Sequence, residues 1–465
     1  MPRAGRCDPT PLIELDASVK HVLVLGAGKS SPYLIHHLLQ NAEAGGWRVT
    51  VGDVDERMAR ERVGSHPRGA ATRFDVNDEE GRSSLIESAD VVINMLGPMY
   101  QDLVAWDCVA HGKHLLSVSY RDQAVRDLDA DAKKKDVLLL FELGLDPGID
   151  HMSAIQIIHG VRAKGGRITA FRSYGSGVPA PGQDTNPLQY VITWNPRNVV
   201  MSAEHGAQYM EDGAIKCVPW HHVFHHTWPV SVDGVGEMEA YPNRDSLSYM
   251  QSFGLEGVHT MIRGTLRYPG WSETWAQIVR LGLPNEHLRI PRLAERTYRE
   301  VTEMFLPLSH AGPPIESRLA KFLQISPTGR IMQNLKWLGL LADEPTGCRG
   351  DTAAAMLVDL LSKKLPLRES DRDLVILLHS MDVEYPDRPA ERITSTFKSE
   401  GKAAGFTAMS VSVGLPTALA VRELLDGRLK LRGSRIPTEP EIYEPILAAL
   451  EREGLKFEEK VERLG

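Results

Sequence analysis

The run Val22-Leu23-Val24-Leu25, followed at once by Gly26-Ala27-Gly28, constrains this chain more than any other feature. Four apolar residues without alternation suit a strand buried on both faces, as at the centre of a parallel sheet. Pro32 to Asn41 carries Leu34, Ile35, Leu38 and Leu39 at helical spacing; Gly45-Gly46 ends it, and Arg48 to Val51 reads as the next strand. Glycines at such a turn let the backbone approach a pyrophosphate. The helix N-terminus beyond offers unpaired N–H groups and a positive dipole end. The third small position is Ser31, so the pattern is G-x-G-x-x-S over Gly26, Ala27, Gly28, Lys29, Ser30 and Ser31. Alone it is a weak signal; between an apolar strand and a helix it is a dinucleotide-binding signature, with a plain strand-to-helix turn as the competing reading.

Asp53 closes the unit, 25 residues after Gly28 and just past Gly52. An acid there accepts hydrogen bonds from both ribose hydroxyls of NAD and repels a 2′-phosphate. Val54 follows and the nearest arginine is Arg57, so NAD is expected over NADP. The competing reading makes Asp53 the cap of the following turn.

At 465 residues the chain holds more than one domain. A net charge of −8 without a long basic run argues against nucleic acid or an anionic membrane as partner. Cys7, Cys108, Cys217 and Cys348 fit no metal or disulfide spacing, and no metal is expected. Free thiols point to a reducing compartment, here the cytoplasm. The first 20 residues lack the apolar core of a signal peptide, and no membrane span is expected.

Alternation of helix and strand continues to residue 148. Strands are expected at Ala89 to Leu96, broken by Gly97-Pro98, at Lys113 to Ser119 and at Asp136 to Glu142; Phe74 to Asp78 reads as a strand end and a helix cap, and Leu103 to Ala110 as a helix. This predicts an α/β fold with a Rossmann doubly wound parallel sheet. Ligands of such sheets sit beyond the strands' carboxyl ends, which makes Asp75-Val76, Ser119-Tyr120 and Leu145-Asp146-Pro147 candidate contacts beside the glycine turn. The expected division is an arm at 1–19, the dinucleotide domain at 20–148 completed by about 403–430, a second α/β domain with a mixed sheet at 149–270 and 366–402, a mostly helical insert at 271–365 and a C-terminal segment at 431–465. Within these, Ile149 to Arg162 reads as helix, and Arg167 to Tyr174, Val191 to Trp194 and Gly213 to Pro219 as strands. Leu374 to His379 and Glu391 to Phe397 read as a hairpin around Pro386-Asp387. Thr407 to Leu425 reads as a helix interrupted at Gly414 and Pro416 that returns to the first domain.

Three stretches carry possible chemistry. Glu142 to His151 opens a strand into glycines and a proline, with Asp146 at the turn, poised for a substrate amine or the nicotinamide, and Asp150-His151 at a helix start. The plain reading makes Asp150 an N-cap and His151 a packed core histidine. Arg244 lies in the loop Tyr241 to Ser246, and Arg263 and Arg267 lie in Arg263 to Tyr268. Arginine forks bind carboxylates bidentately, so two such loops suggest a substrate with several carboxylates; surface ion pairs are the alternative. His221-His222 and His225-His226 sit in a Pro- and Val-rich stretch unlike the helix that an i,i+4 metal pair requires.

GLDPGIDH (Gly144–His151), VPAPGQDTNPLQY (Val178–Tyr190), YPNRDS (Tyr241–Ser246), RGTLRY (Arg263–Tyr268), WLGL (Trp337–Leu340) and RDLVILLH (Arg372–His379) together resemble the glutamate-forming saccharopine dehydrogenase (saccharopine reductase) family, from about Val22 to the C-terminus. The resemblance implies a Rossmann domain completed by C-terminal elements, an α/β domain carrying homodimer contacts, and a helical insert. It implies reversible reduction, by a nicotinamide cofactor, of the imine of glutamate and 2-aminoadipate 6-semialdehyde to saccharopine, in lysine metabolism. By position, cofactor contacts are implied at Gly26, Ala27, Gly28, Lys29, Ser30, Gly52, Asp53, Asp75, Val76, Leu145, Asp146 and Pro147, and substrate contacts at Ser119, Tyr120, Asp146, Arg244, Thr265, Leu266 and Arg267. Tyr120 and Asp146 are the implied catalytic groups.

The sequence also departs from the family. Val54 stands where NADP users carry an arginine, so NAD is expected and NADP remains possible. The Ser-Tyr-Cys-Gly-Gly turn reads Ser173-Tyr174-Gly175-Ser176-Gly177, which removes any role of that cysteine, and Gly97-Pro98 replaces a Pro-Tyr after the fourth strand. A carboxypolyamine-type dehydrogenase with the same imine chemistry, and a non-catalytic NAD-binding regulatory protein, stay open as alternatives.

Overall fold

The computed structural model describes residues 19–183, 186–308 and 312–464, so Cys7 and all but Val19 of the expected arm lie outside the described residues. The strands are β1 (Lys20–Leu25), β2 (Trp47–Asp53), β3 (Gly69–Arg73), β4 (Val91–Asn94), β5 (His114–Ser117) and β6 (Leu138–Leu140). There follow β7 (Arg167–Pro179), β8 (Ala207–Glu211), β9 (Ala214–Val218), β10 (Trp228–Val232), β11 (Gly236–Pro242), β12 (Thr260–Arg267), β13 (Asp373–Glu384), β14 (Glu391–Glu400), β15 (Gly433–Arg435) and β16 (Phe457–Arg463). The chain forms two compact units. Of the described residues, one holds 19–27 with Ile35–Phe141 and Leu424–Arg435; the other holds Gly28–Leu34, Glu142–Glu423 and 436–464.

The first unit is a seven-stranded sheet in the order β15-β6-β5-β4-β1-β2-β3, parallel throughout. In β1 the apolar run is fully buried, as its lack of alternation requires. Burying each such side chain contributes roughly 1.5–3 kcal/mol. Strand order reverses at β1, which pairs with β2 on one side and β4 on the other. A switch point of this kind opens a crevice at the strands' carboxyl ends. Leu23, Leu25, Phe74, Val92, Leu115, Leu139 and Phe141 form part of its core.

The second unit is built on a mixed nine-stranded sheet. Its path runs β10-β11-β12-β7-β13-β14-β16, with the β8–β9 hairpin joined through β12. β12 runs parallel to β7, and the other pairs are antiparallel. The helix Ile149–Ala163 is buried over most of its length and packs on β7 and β13. Residues 271–365 are mainly helical and join the same large core through Trp275, Leu319, Leu335 and Leu357.

Several local expectations differ from the structure. Val191 to Trp194 is not a strand and contributes a single bridge, Ile192 to Pro366. The Asn186 side chain holds the carbonyl and N–H of Tyr190, which fixes an irregular path despite the β-favouring residues. Ala408–Leu425 is one continuous helix with Pro416 inside it. Gly414 lies against Leu34, where a side chain would meet its backbone nitrogen at 2.7 Å, and Thr417 donates to the Leu143 carbonyl at 2.8 Å. As far as Glu423 this helix belongs to the second unit; the first unit is completed by Leu424–Arg435, including β15. It is also long and apolar enough by length and composition to cross a membrane, which the reading of an absent span overlooked. About two thirds of it is buried inside the protein, as in a core helix.

Candidate active site

The carboxyl edge of the first sheet is shaped by backbone. Gly26 has φ 106°, and a side chain there would press on the Met95 backbone at 3.2 Å. Gly28 faces open space. Ser31 is buried and its hydroxyl donates to the Gly28 carbonyl at 2.9 Å, so the third small position locks the turn rather than lining it. The half-buried Asp53 accepts from the Ala27 N–H (2.7 Å) through one oxygen and from the Asp55 N–H (2.9 Å) through the other. The competing reading of Asp53 therefore holds: it caps the following turn, and it also ties the glycine turn to the end of β2. Gly52 is needed for packing, since a side chain there would reach Phe74 at 2.9 Å. Asp75 folds an Asx turn onto Asn77, and Val76 is buried with its carbonyl taken by Arg82.

Next to this edge lies a buried amide hub that the sequence reading missed. Gln101 accepts from Ser117 at 2.6 Å and from Asn94 at 3.2 Å, and donates to Ser119 at 3.2 Å. It ties the ends of β4 and β5 together and orients Ser119, one residue before Tyr120.

In the second unit, five charged side chains form a continuous chain. Glu142, in the left-handed region at φ 58°, meets His151 Nε2 at 2.8 Å. His151 Nδ1 meets Asp150 at 3.0 Å. The Arg263 guanidinium reaches Asp150 at 3.2 Å and Asp146 at 2.5 Å. Side-chain exposure is 4%, 1%, 3% and 5% along Glu142, His151, Asp150 and Arg263, and rises to 20% at Asp146, where the chain meets solvent. Gly148, with φ 149°, makes the tight return possible, because a side chain there would overlap the Gly144 backbone.

Charge organises this cluster. Burial raises the Asp146 carboxyl to about 6, helped by the Asp150 charge and opposed by Arg263. Burial acts on Asp150 in the same sense, but His151, Arg263 and the Gly148 N–H outweigh it and hold Asp150 well below the usual carboxylate range. Burial alone would lower His151; Asp150 and Glu142 together raise it to about 9, so it is an imidazolium at neutral pH. Behind them, burial lowers His379 to about 4, and its neutral ring meets Ser153 and Ser173.

Arg267 is different. It is 6% exposed, forms no ion pair among the described residues, and has a buried Nε without a hydrogen-bond partner. Its guanidinium lies 4.8 Å from the Tyr190 ring, 5.2 Å from Trp271 and 5.9 Å from Tyr241. Such contacts stabilise a desolvated cation by about 2 kcal/mol, less than the several kcal/mol that desolvating an unpaired charge costs. A carboxylate is the complement this position lacks.

The structure sorts the sequence candidates. Gly26, Ala27, Gly52, Asp53, Asp75, Val76, Ser119 and Tyr120 lie in the first unit; Gly28, Lys29, Ser30, Leu145, Asp146, Pro147, Arg244, Thr265, Leu266 and Arg267 lie in the second. Leu266 is fully buried and its carbonyl accepts from Ser176 and Arg267, so its side chain belongs to the core rather than to a substrate surface. Arg263 is committed to Asp146 and Asp150 rather than to a substrate carboxylate. Asp150 is not the helix N-cap, which is Gly148; its carboxylate accepts from the Gly148 N–H at 2.6 Å. His151 is buried but charged, beyond a mere packing residue. The histidines of 221–226 are exposed on the six-residue 3-10 helix Trp220–His225 and at its end, and no group of three His, Cys, Asp or Glu suited to a metal occurs among the described residues. Reasoning from sequence missed Gln101, and it noted Glu142 and Gly175 without giving either a role of its own. Glu142 had a signal, an acid ending an otherwise apolar strand.

Comparison with known proteins agrees with this architecture. Residues 22–140 match the family model described as "Saccharopine dehydrogenase NADP binding domain", and residues 144–455 match "Saccharopine dehydrogenase C-terminal domain". The chain is 32% identical to "Saccharopine dehydrogenase [NADP(+), L-glutamate-forming]" of Pyricularia oryzae, covering 96% of this chain and 99% of that one. The same-named protein of Schizosaccharomyces pombe is 30% identical over 95% and 98%. "Alpha-aminoadipic semialdehyde synthase, mitochondrial" of Bos taurus is 32% identical, and this chain spans about half (47%) of its length. A solved structure of apo saccharopine dehydrogenase (L-Glu forming) from Saccharomyces cerevisiae superposes with a TM-score of 0.83 at 29% identity, over 95% of this chain and 100% of that one. The chain belongs to the saccharopine dehydrogenase family.

Proposed function

We propose that this chain is an oxidoreductase acting on a CH–NH bond, which reversibly reduces the imine of glutamate and 2-aminoadipate 6-semialdehyde to saccharopine. Full-length relatives carry the words "L-glutamate-forming" in their names. The observation that carries the reading is Arg267, a buried, aromatic-caged cation with no acid partner among the described residues, suited to a substrate carboxylate. Arg244 and Thr265 would bind other polar groups of the same substrate.

The glycine turn fits a dinucleotide. Gly26 and Gly28 leave the backbone clear, and the helix Pro32–Gln40 presents its N-terminus beyond them. Gly26 to Ser30, Gly52, Asp53, Asp75, Val76 and Leu145 to Pro147 would hold the cofactor. When bound, it supplies the hydride chemistry. Relatives' names specify NADP(+). Here the Asp53 carboxylate stands at the end of β2 beside an exposed Val54, and Arg57 pairs with Asp55. An acid at this place favours ribose hydroxyls over a 2′-phosphate, so the reading is NAD.

In the oxidative direction the secondary amine must shed a proton before its lone pair can form the C=N bond. Asp146 receives that proton, and in reduction returns it. Tyr120 contacts the substrate or passes on the proton. The chain would act as a homodimer in the cytoplasm. Saccharopine oxidation is the test, run beside a carboxylated polyamine: turnover of saccharopine alone supports the reading, and turnover of the polyamine alone overturns it.

A further inference from the structure

Asp146 presents two different oxygens. Oδ1 is bonded to the Arg263 guanidinium at 2.5 Å. Oδ2 lies over Gly175 on β7, where a Cβ would stand 2.5 Å from it and 3.4 Å from Cγ. No real Cβ tolerates that approach, so the carboxylate keeps this position because residue 175 has no side chain. Gly175 has no positive φ, so its backbone does not require glycine; the space does. Arg263 is in turn fixed from several sides. Asp150 holds the guanidinium at 3.2 Å, Tyr249 stacks 4.4 Å from it, and its backbone N–H donates to Ser246 at 2.9 Å. Asp150 is held by His151, and His151 by Glu142.

We propose that Arg263 is a positioning residue for the reaction: anchored by the Asp150–His151–Glu142 chain and with Gly175 leaving the space, it sets both the aim and the proton affinity of Asp146. The inference rests on the reading of Asp146 as the group that exchanges a proton with the substrate nitrogen.

The charge count explains why the arrangement suits that task. Three carboxylates face one guanidinium and one imidazolium, so the fully ionised cluster carries one net negative charge. Taking one proton neutralises it. Asp150 is the poorer acceptor, because two cations hold it ionised, and between it and Asp146 the proton goes to the solvent-facing Asp146. The groups facing Asp146 are Asp150 and His151 from the helix Ile149–Ala163 and Arg263 from β12; His379 on β13, which burial keeps neutral, lies against Asp150, His151 and Arg263.

The test is the pH dependence of kcat/KM for saccharopine oxidation in the full-length wild type and in Gly175→Ala, Arg263→Lys, Arg263→Met and Asp146→Asn. The wild-type acid limb is expected near pH 6, where Asp146 ionises. Removing the Arg263 charge should move that limb to higher pH and lower kcat by roughly 10–100-fold, the scale of a 1 Å misplacement, with KM changed far less; Arg263→Lys should move the limb back. Gly175→Ala, a small change on a strand, should lower kcat and shift the limb while the protein stays folded, which guards against misfolding of the Arg263 variants. If Asp146→Asn is inactive while folded Gly175→Ala and both Arg263 variants keep the wild-type limb and kcat, the positioning inference is overturned and the reading of Asp146 stands. If Asp146→Asn keeps wild-type kcat, the reading of Asp146 itself fails.

Discussion

Under the proposed function, two regions of the molecule would hold a charged ligand in opposite ways. At the carboxyl edge of the first sheet the work is done by backbone: a glycine turn, a helix start, an Asx turn, and side chains such as Asp53 and Gln101 that are themselves tied to neighbouring groups. In the second unit it would be done by side-chain charge held in the interior, with the chain linking Glu142, His151, Asp150, Arg263 and Asp146 one negative charge in excess and Arg267 as a cation without an acid partner among the described residues. A backbone site tolerates many sequences and binds whatever carries a phosphate. On the proposed function the side-chain site would carry the specificity and the proton chemistry, and it is where single substitutions should cost most.

That contrast orders the expected effects. Asp146→Asn should lower kcat by roughly 100–10,000-fold, the range for loss of a general acid–base group, with cofactor binding by fluorescence unchanged; a loss below tenfold would break the assignment of proton chemistry to the second unit. Arg267→Met leaves the aromatic cage but removes the cation. Truncating one partner of a buried charge pair costs about 2–5 kcal/mol, so KM for saccharopine should rise at least about 30-fold; steady-state kinetics with an unchanged KM would remove the carboxylate clamp.

His151 offers a stability test of the same cluster. Its folded value, about 9, lies above the ordinary 6.5, so its stabilisation is complete below 6.5 and is lost as pH rises through about 9. Asp146, at about 6, is already ionised over that window. Urea unfolding should therefore show the wild type losing up to about 3 kcal/mol between pH 6.5 and 9.5 that His151→Gln does not lose; parallel curves would mean a neutral His151. The smallest effect belongs to the backbone site: Asp53→Ser with Val54→Arg should shift the NADH-to-NADPH preference by roughly 10–100-fold, one charge-assisted contact, read as a ratio of kcat/KM values.

The same contrast explains what the sequence made legible. Backbone sites are written locally: Val22 to Leu25, Gly26, Gly28 and Asp53 announce a dinucleotide unit because strand, turn and helix are contiguous. The second unit's chemistry is written at a distance. Arg263 stands more than a hundred residues from Asp146 and Asp150, and nothing in its motif distinguishes an arginine that clamps a substrate from one that holds two internal acids. Gly175 shows the same limit, since its reason is an oxygen of Asp146, brought over it from 29 residues earlier by the fold rather than by local sequence. Local propensity misled where tertiary contacts won. Val191 to Trp194 is held out of a strand by Asn186. The helix continues through Gly414 and Pro416, with Gly414 packed against the Leu34 backbone.

The most direct test is oxidation of NADH and of NADPH by the purified protein with glutamate plus 2-aminoadipate 6-semialdehyde, together with the reverse reaction on saccharopine. The account predicts turnover in both directions with NADH preferred. Preference for NADPH would contradict the role given to Asp53 alone, and absence of turnover with either cofactor, in folded protein that still binds one, would contradict the account as a whole.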